Sequence, residues 1–312
     1  MSMPHIHTVT LNPALDQILY LPEFHPEVTN RLTRSVCGLG GKGTHVSINL
    51  ALLGIDNTAL GIAHGETGTQ IMEMLKSQGI RVCFQHYTEQ DSRTNYLLIE
   101  DGGACTCLSS KGVPLTDEDI SSFIQYLDQQ IQEGDFLILS GDASNCPDAF
   151  VYNKIMQHLQ KKHLKVFLDA SGETLKKCIQ EQPYLIKPNQ DELSYLCGKE
   201  LNCENDIREA LISLDCYHIP VIAVSLGSSG SMVRINNKIY RVFPPKIQVK
   251  NTIGCGDCFL SGLIYGVYKG LSDEETLKLA TAISAATAES ELSVGFDMER
   301  AKALKELVSI QA

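Results

Sequence analysis

Apolar residues recur along this chain in two rhythms. From about residue 116, short apolar runs ("DFLILSG", "KVFLDAS", "YLIKPN", "PVIAVSLG") alternate with segments whose apolar residues return every three or four positions. Those segments predict helices over 116–132, 147–162, 190–197, 204–214, 257–269, 273–289 and 297–308, with a short helix after "KVFLDAS" and a hairpin over 231–243. Apolar strands between helices imply a mostly parallel sheet covered on both faces. Upstream, "HIHTVTLN", "NRLTRSVC", "TALGIAHG" and "RVCFQHY" read as strands. "THVSINLALLG", stopping at Gly54, and "GTQIMEMLKSQG" read as helices. "TNYLLIEDGGACTCLSS" reads as a hairpin turning at Asp101-Gly102-Gly103. The alternating strands near 8–20, 30–38 and 92–110 break the later rhythm and predict a small antiparallel sheet protruding as a lid. No repeat or linker interrupts the pattern, so 1–312 reads as one α/β domain carrying that lid.

Composition narrows the function classes. Hydrophobic residues make up 43% and charged residues 20% of the chain, a soluble globular balance. A net charge of −11 without any Lys/Arg block excludes a nucleic-acid footprint, so an anionic ligand needs a few placed cations and backbone N–H groups. No signal peptide and no run of about 18 apolar residues is visible, which predicts a cytoplasmic protein with no membrane span. The eleven cysteines are scattered, without the paired spacing of a zinc site, and read as free thiols of a reducing compartment.

Two glycine-rich stretches carry the candidate chemistry. "GLGGKG" at 38–43 matches G-x-G-x-x-G between a strand and a helix. An NAD-dependent oxidoreductase would use it, but the acidic ribose ligand expected about 20 residues on has no good candidate, Asp56 coming too early. Lys42 in a glycine turn at a helix start suits an anionic or polar substrate instead. In "NTIGCGDCFLSG" at 251–262, Gly254 and Gly256 permit a tight turn whose N–H groups converge at a helix N-terminus. Asp257 stands there as a candidate general base. Cys255 and Cys258 also form C-x-x-C, a redox spacing, although that motif belongs early in a much smaller domain and disfavours an internal acid.

Together the motifs resemble the ribokinase-like sugar kinases, in particular the phosphofructokinase B branch of 1-phosphofructokinases and tagatose-6-phosphate kinases. The resemblance spans nearly the whole chain: "TVTLNPALD" at 8–16, "GGKG" at 40–43, "SRTNYLL" at 92–98, "LDASGETL" at 168–175, "IKPNQDEL" at 186–193, "VSLGSSGSM" at 224–232 and "NTIGCGDCFLSGLIYG" at 251–266. It implies a ribokinase-like three-layer fold with a β lid, and transfer of the γ-phosphoryl group of ATP, with Mg2+, to a hydroxyl of a ketohexose phosphate. Fructose 1-phosphate is the first expectation and tagatose 6-phosphate the second; an unphosphorylated sugar or a nucleoside is the alternative acceptor. By resemblance Asp257 is the base, and the N–H groups of Gly254, Cys255 and Gly256 form the anion hole. Lys187, Ser225, Gly227, Gly230 and Thr252 would serve the nucleotide, with Asn189 and Glu192 organising magnesium through water. Asp16, Gly41, Lys42 and His45 would meet the sugar, with Arg93 and Arg31 on its phosphate. The family's lid sheets commonly pair between subunits, which implies a homodimer.

Three departures stand out. Thr44 and His45 replace an apolar residue and Asn after "GGKG"; His45 is expected either to hydrogen-bond a sugar hydroxyl or to be a satisfied structural histidine. Asp142 replaces a small hydroxyl residue near the expected acceptor phosphate. Cys255 and Cys258 replace Ala and Ser, and the helix N-terminus is expected to lower one thiol's pKa and make the protein sensitive to oxidants.

Overall fold

The computed structural model describes residues 3–141, 143–291 and 293–312. The chain begins with β1 (Ile6–Thr10), β2 (Ala14–Leu21), β3 (Arg34–Gly40), α1 (Lys42–Leu52), β4 (Asn57–His64), α2 (Gly65–Ser77) and β5 (Arg81–Tyr87). The hairpin β6 (Arg93–Glu100) and β7 (Cys105–Ser109) follows. The regular alternation runs α3 (Asp117–Gln130), β8 (Phe136–Ser140), α4 (Val151–Leu159), β9 (Lys165–Asp169), α5 (Gly172–Cys178), β10 (Leu185–Ile186), α6 (Gln190–Cys197), α7 (Glu204–Ser213) and β11 (Val221–Ser225). It ends with β12 (Ser231–Ile235), β13 (Lys238–Phe243), α8 (Cys255–Lys269), α9 (Asp273–Ala288), α10 (Met298–Lys305) and β14 (Ser309–Gln311).

A ten-stranded sheet, ordered β14-β13-β12-β11-β10-β9-β8-β1-β4-β5, forms the central layer. The seven strands from β11 to β5 are parallel, and β12 to β14 extend one edge antiparallel. Alternate side chains of each parallel strand seal opposite faces. Val9, Leu137, Leu139 and Leu168 pack with apolar residues of α3 to α7. Ile6, Ile138 and Phe167 pack with those of α1, α8, α9 and α10. Burial on both sides is why these strands read as unbroken apolar runs.

Chain order reverses between β1 and β8: β4 and β5 lie on one side of β1, while β8 to β11 run away on the other. In an open α/β sheet such a reversal opens a crevice at the carboxyl ends of the strands. Asp169, Lys187 and Ser225 all stand at or just beyond such ends.

Over that crevice lies the second sheet, ordered β3-β2-β6-β7. Its outer pairs are antiparallel, but β2 and β6 run parallel, because β6 arrives from β5 rather than directly from β2. Residues 8–10, expected in the lid, belong to β1 of the central sheet, where Thr8 pairs with Ala59 and with Ile138. Pro13 separates β1 from β2, and apolar contacts on both faces bind β1 to the core. Residues 30–33 precede β3 in an exposed loop. The terminal strand β14 carried no period-two signal long enough to read; α10 ends at Lys305, short of the expected 308, and β14 follows at Ser309.

Candidate active site

The turn before α8 is built by its glycine. Gly254 adopts φ 77°, and a Cβ there would collide with the carbonyl of Ser293, so only glycine fits. Cys258 N then donates to Gly254 O at 2.9 Å, leaving the first N–H groups of α8 without intrahelical acceptors. Asp257 sits in this first turn with its side chain buried.

Asp257 Oδ2 lies 2.7 Å from His45 Nδ1, and His45 Nε2 lies 2.7 Å from the Leu39 carbonyl. The structure thus joins the start of α8 to α1 and β3. With both ring nitrogens engaged by protein groups, His45 has none left for a sugar hydroxyl, so that expected contact is corrected to an internal one. Asp257 Oδ1 has no hydrogen-bond donor among the described residues.

Asp16 reaches the same locus from β2. It lies opposite Gly38 on β3 and Asn95 on β6, and Asn95 Nδ2 donates to its Oδ1 at 2.8 Å. Ser109 Oγ donates onward to Asn95 Oδ1 at 2.6 Å. A Cβ on Gly40 would strike the Asp16 carboxylate, which explains glycine at that position. Burial pushes the Asp16 carboxyl above the usual range, against the opposing pull of His45, Asn95 and Arg93. Arg93 is fixed by Nε donating to Asn12 O at 3.2 Å and by Nη1 donating to Ser109 Oγ at 3.2 Å. Arg31 lies in the exposed loop between β2 and β3, outside these contacts.

A second charged assembly lies under the α8 turn. Asp169, buried at the end of β9, holds Lys42 Nζ at 3.3 Å and Lys187 Nζ at 3.4 Å on its two oxygens. A methyl group on Gly256 would sit 3.4 Å from Lys187 Nζ, so this ammonium lies against the N–H cradle. Burial opposes the Asp169 charge, but Lys187 and Lys42 outweigh it and hold the carboxyl below the usual range. Lys42 is raised in turn, by Asp169 first and Asp257 after burial's opposing effect. Asp169 was not singled out from the sequence. Its signal was its place in "LDASGETL", at the end of an apolar strand, where a buried carboxylate demands cationic partners.

Asn189 caps α6 in a reciprocal box with Glu192: Oδ1 accepts from Glu192 N at 2.8 Å, and Glu192 Oε2 accepts from Asn189 N at 2.9 Å. Asn189 also bridges to Ser225, after which 226–230 turns tightly with Leu226 N donating to Gly230 O at 2.8 Å. Thr252 is exposed beside the α8 turn, its carbonyl facing Cys255 N at 3.4 Å. No group of three His, Cys, Asp or Glu suited to hold a metal exists among the described residues. One partly exposed carboxylate at a helix N-terminus suits Mg2+ carried in on phosphates with its water shell, rather than a resident ion.

The thiol expectation is overturned. Burial pushes both Cys255 and Cys258 up to about 12, and the negative charge of Asp257 adds to the rise. Thr287 Oγ1 donates to Cys258 Sγ at 2.9 Å in a sealed pocket. Asp142, the other departure, lies outside the described residues.

A family profile for the pfkB family carbohydrate kinases matches residues 9–297. The chain belongs to that family. It is therefore a phosphotransferase acting on a sugar hydroxyl, and the oxidoreductase reading of 38–43 is not favoured. This carbohydrate kinase is 31% identical over 289 residues to a 1-phosphofructokinase of Bacillus subtilis, covering 92% of this chain and 93% of the relative. It is 32% identical over 282 residues to a tagatose-6-phosphate kinase of Staphylococcus epidermidis, covering 89% and 90%. Phosphofructokinase-2 from Escherichia coli superposes with a TM-score of 0.90 at 25% identity, covering 98% of this chain and 99% of that one. No helix among the described residues is long and apolar enough to cross a membrane.

Proposed function

We propose that this kinase transfers the γ-phosphoryl group of ATP to a hydroxyl of a ketohexose phosphate, fructose 1-phosphate first and tagatose 6-phosphate second. The observation that carries the reading is the pairing of two ammoniums on Asp169 beside the α8 cradle with a buried carboxylate, Asp257, at the cradle's mouth. Phosphoryl transfer asks for charge neutralisation and positioning rather than covalent help. Lys187, Lys42 and the N–H groups of Gly254, Cys255 and Gly256 supply the first. Asp257 takes the hydroxyl proton on Oδ1, the oxygen His45 leaves open. Asp16 and Gly41 hold the sugar, and Arg93 binds its phosphate; Arg31 would have to swing in from its loop. Ser225, Gly227, Gly230 and Thr252 line the nucleotide side. Mg2+, bound through Glu192 and Asn189 by way of water, would neutralise phosphate charge.

We read residues 1–312 as one ribokinase-like domain acting in the cytoplasm. Tyr96 and Leu108, apolar and exposed on the lid, support pairing of lids in a homodimer. A relative, phosphofructokinase-2 from Escherichia coli, has a tetrameric inhibited form. The test is Mg-ATP-dependent ADP release with fructose 1-phosphate, tagatose 6-phosphate, fructose 6-phosphate and free fructose, with Asp257→Asn as control. One sugar phosphate is turned over, and D257N loses ~10²–10⁴-fold in kcat, the range for a general base. Turnover of free fructose alone would transfer the reading to an unphosphorylated acceptor.

A further inference from the structure

We propose that His45 is held as an imidazolium that aims Asp257, making an Asp257–His45 dyad in which His45 is a positioning residue for the base. This rests on the kinase reading above and deepens it. The argument starts from atoms. The Leu39 carbonyl accepts only, so His45 Nε2 must carry a hydrogen. That leaves Nδ1 2.7 Å from Asp257 Oδ2, where a lone pair would face a carboxylate. A second ring proton resolves the clash, and the ring becomes a cation bonded at both nitrogens.

The surroundings agree. Asp257 faces the ring from α8, Asp16 from β2 and the Leu39 carbonyl from β3. On its own helix, Lys42 interacts with Asp257, and Arg93 of β6 interacts with Asp16. The remaining titratable neighbours of Asp257 on α8 are Cys255 and Cys258, both raised. Burial pulls His45 down, yet the bond and charge of Asp257, the charge of Asp16 and the Leu39 carbonyl outweigh it and raise it above the ordinary 6.5. The imidazolium is therefore kept to higher pH than that of an ordinary histidine and is lost as pH rises through the raised value.

The consequence is geometric. His45 occupies Oδ2 and so presents Oδ1 to the acceptor hydroxyl. Its charge also offsets the repulsion a bare carboxylate would exert on an arriving phosphoryl group. When the ring loses its proton, Nδ1 confronts the carboxylate and the aim is lost. An Asn at this position carries its amide nitrogen two bonds from Cβ, as His45 carries Nδ1, so the same bond is within its reach without a titrating group.

The test compares wild type with His45→Asn, His45→Gln and His45→Ala. Nitrogen-15 spectra of the histidine rings, assigned by loss of one signal set in H45N, come first. Both His45 nitrogens are expected to stay protonated at pH 7. A deprotonated Nδ1 at pH 7, whether from a neutral pair or a proton residing on Asp257, overturns the proposal. Kinetics follow with the best acceptor. Wild-type kcat falls on the alkaline side, approaching about tenfold per pH unit, and H45N lacks this limb. H45A loses ~10²-fold in kcat with little change in KM, as expected for a misplaced base, and H45N regains most of that loss while H45Q does not. An unchanged alkaline limb in H45N, or a loss confined to KM in H45A, overturns the positioning role. Should H45A not fold by circular dichroism, H45N against H45Q carries the decision. If wild type turns over no acceptor, the kinase reading fails, and the ring spectra still decide the dyad.

Discussion

The site contains two charge assemblies of opposite balance, each centred on a buried aspartate. Under the α8 turn, two ammoniums share one carboxylate, Asp169. Beside it, one imidazolium stands between two carboxyl groups, Asp257 and Asp16. The first has positive charge to spare and, in the proposed reaction, takes the incoming anion. The second does not, and in the proposed reaction it receives a hydroxyl and its proton. On that reading a chain of net charge −11 would handle phosphate by local surplus rather than by a basic surface. The acceptor's own phosphate needs a cation beyond this pair of carboxyls, and Arg93, anchored on Asn12 and Ser109, is the one proposed for it.

The largest way to break this contrast is Lys187→Met. It leaves Asp169 with Lys42 alone, abolishing the surplus while filling similar space. We expect kcat to fall by ~10²–10³-fold, the scale for losing one preorganised partner of developing charge, with the acceptor KM little changed. Steady-state kinetics with both substrates varied would check it. A loss appearing in the acceptor KM instead would mean that the two assemblies do not divide the labour.

How much of this was legible in advance differs between the assemblies. The helices of the later half and the buried strands between them followed from apolar period alone, since parallel strands sealed on both faces leave a continuous signal. Lys42 and Asp257 were visible through glycine turns at helix starts, and Lys187 and Asp16 through the family resemblance. Asp169 was not, because a lone aspartate closing a strand looks like any strand terminus until two lysines converge on it, one from α1 and one just beyond β10. His45 was visible as a departure but not as a partner of Asp257, which lies 212 positions away in sequence. Cys255 and Cys258 misled for a related reason: the dipole of a helix start is readable from sequence, whereas the burial that overrides it is a property of α8 packed on its neighbours.

Asp16→Asn sharpens the contrast from the other side. The amide retains volume but gives up a charged acceptor of sugar hydroxyls, a bond type worth about 1.5–3 kcal/mol. The acceptor KM should rise ~10–100-fold, while the KM for ATP stays near wild type. The substitution also removes one of the two carboxyl groups facing His45, so the alkaline limb of kcat should move to lower pH. A D16N enzyme whose limb does not move would separate Asp16 from the dyad.

The smallest expected effect concerns the thiols. Iodoacetamide reacts with thiolates, and burial keeps Cys255 and Cys258 protonated up to about 12. The exposed cysteines Cys37, Cys105, Cys107, Cys203 and Cys216 should be modified first, as mass spectrometry of timed samples would show. Cys107 interacts with both Asp16 and Arg93, so a carboxamidomethyl group there is placed to disturb the acceptor side. Any early effect should therefore be a rise in acceptor KM of a few fold that disappears in Cys107→Ser, with kcat and the ATP side untouched. Loss of kcat in step with Cys255 modification would instead place a reactive thiol inside the cradle and undo the assignment of that turn to phosphate alone.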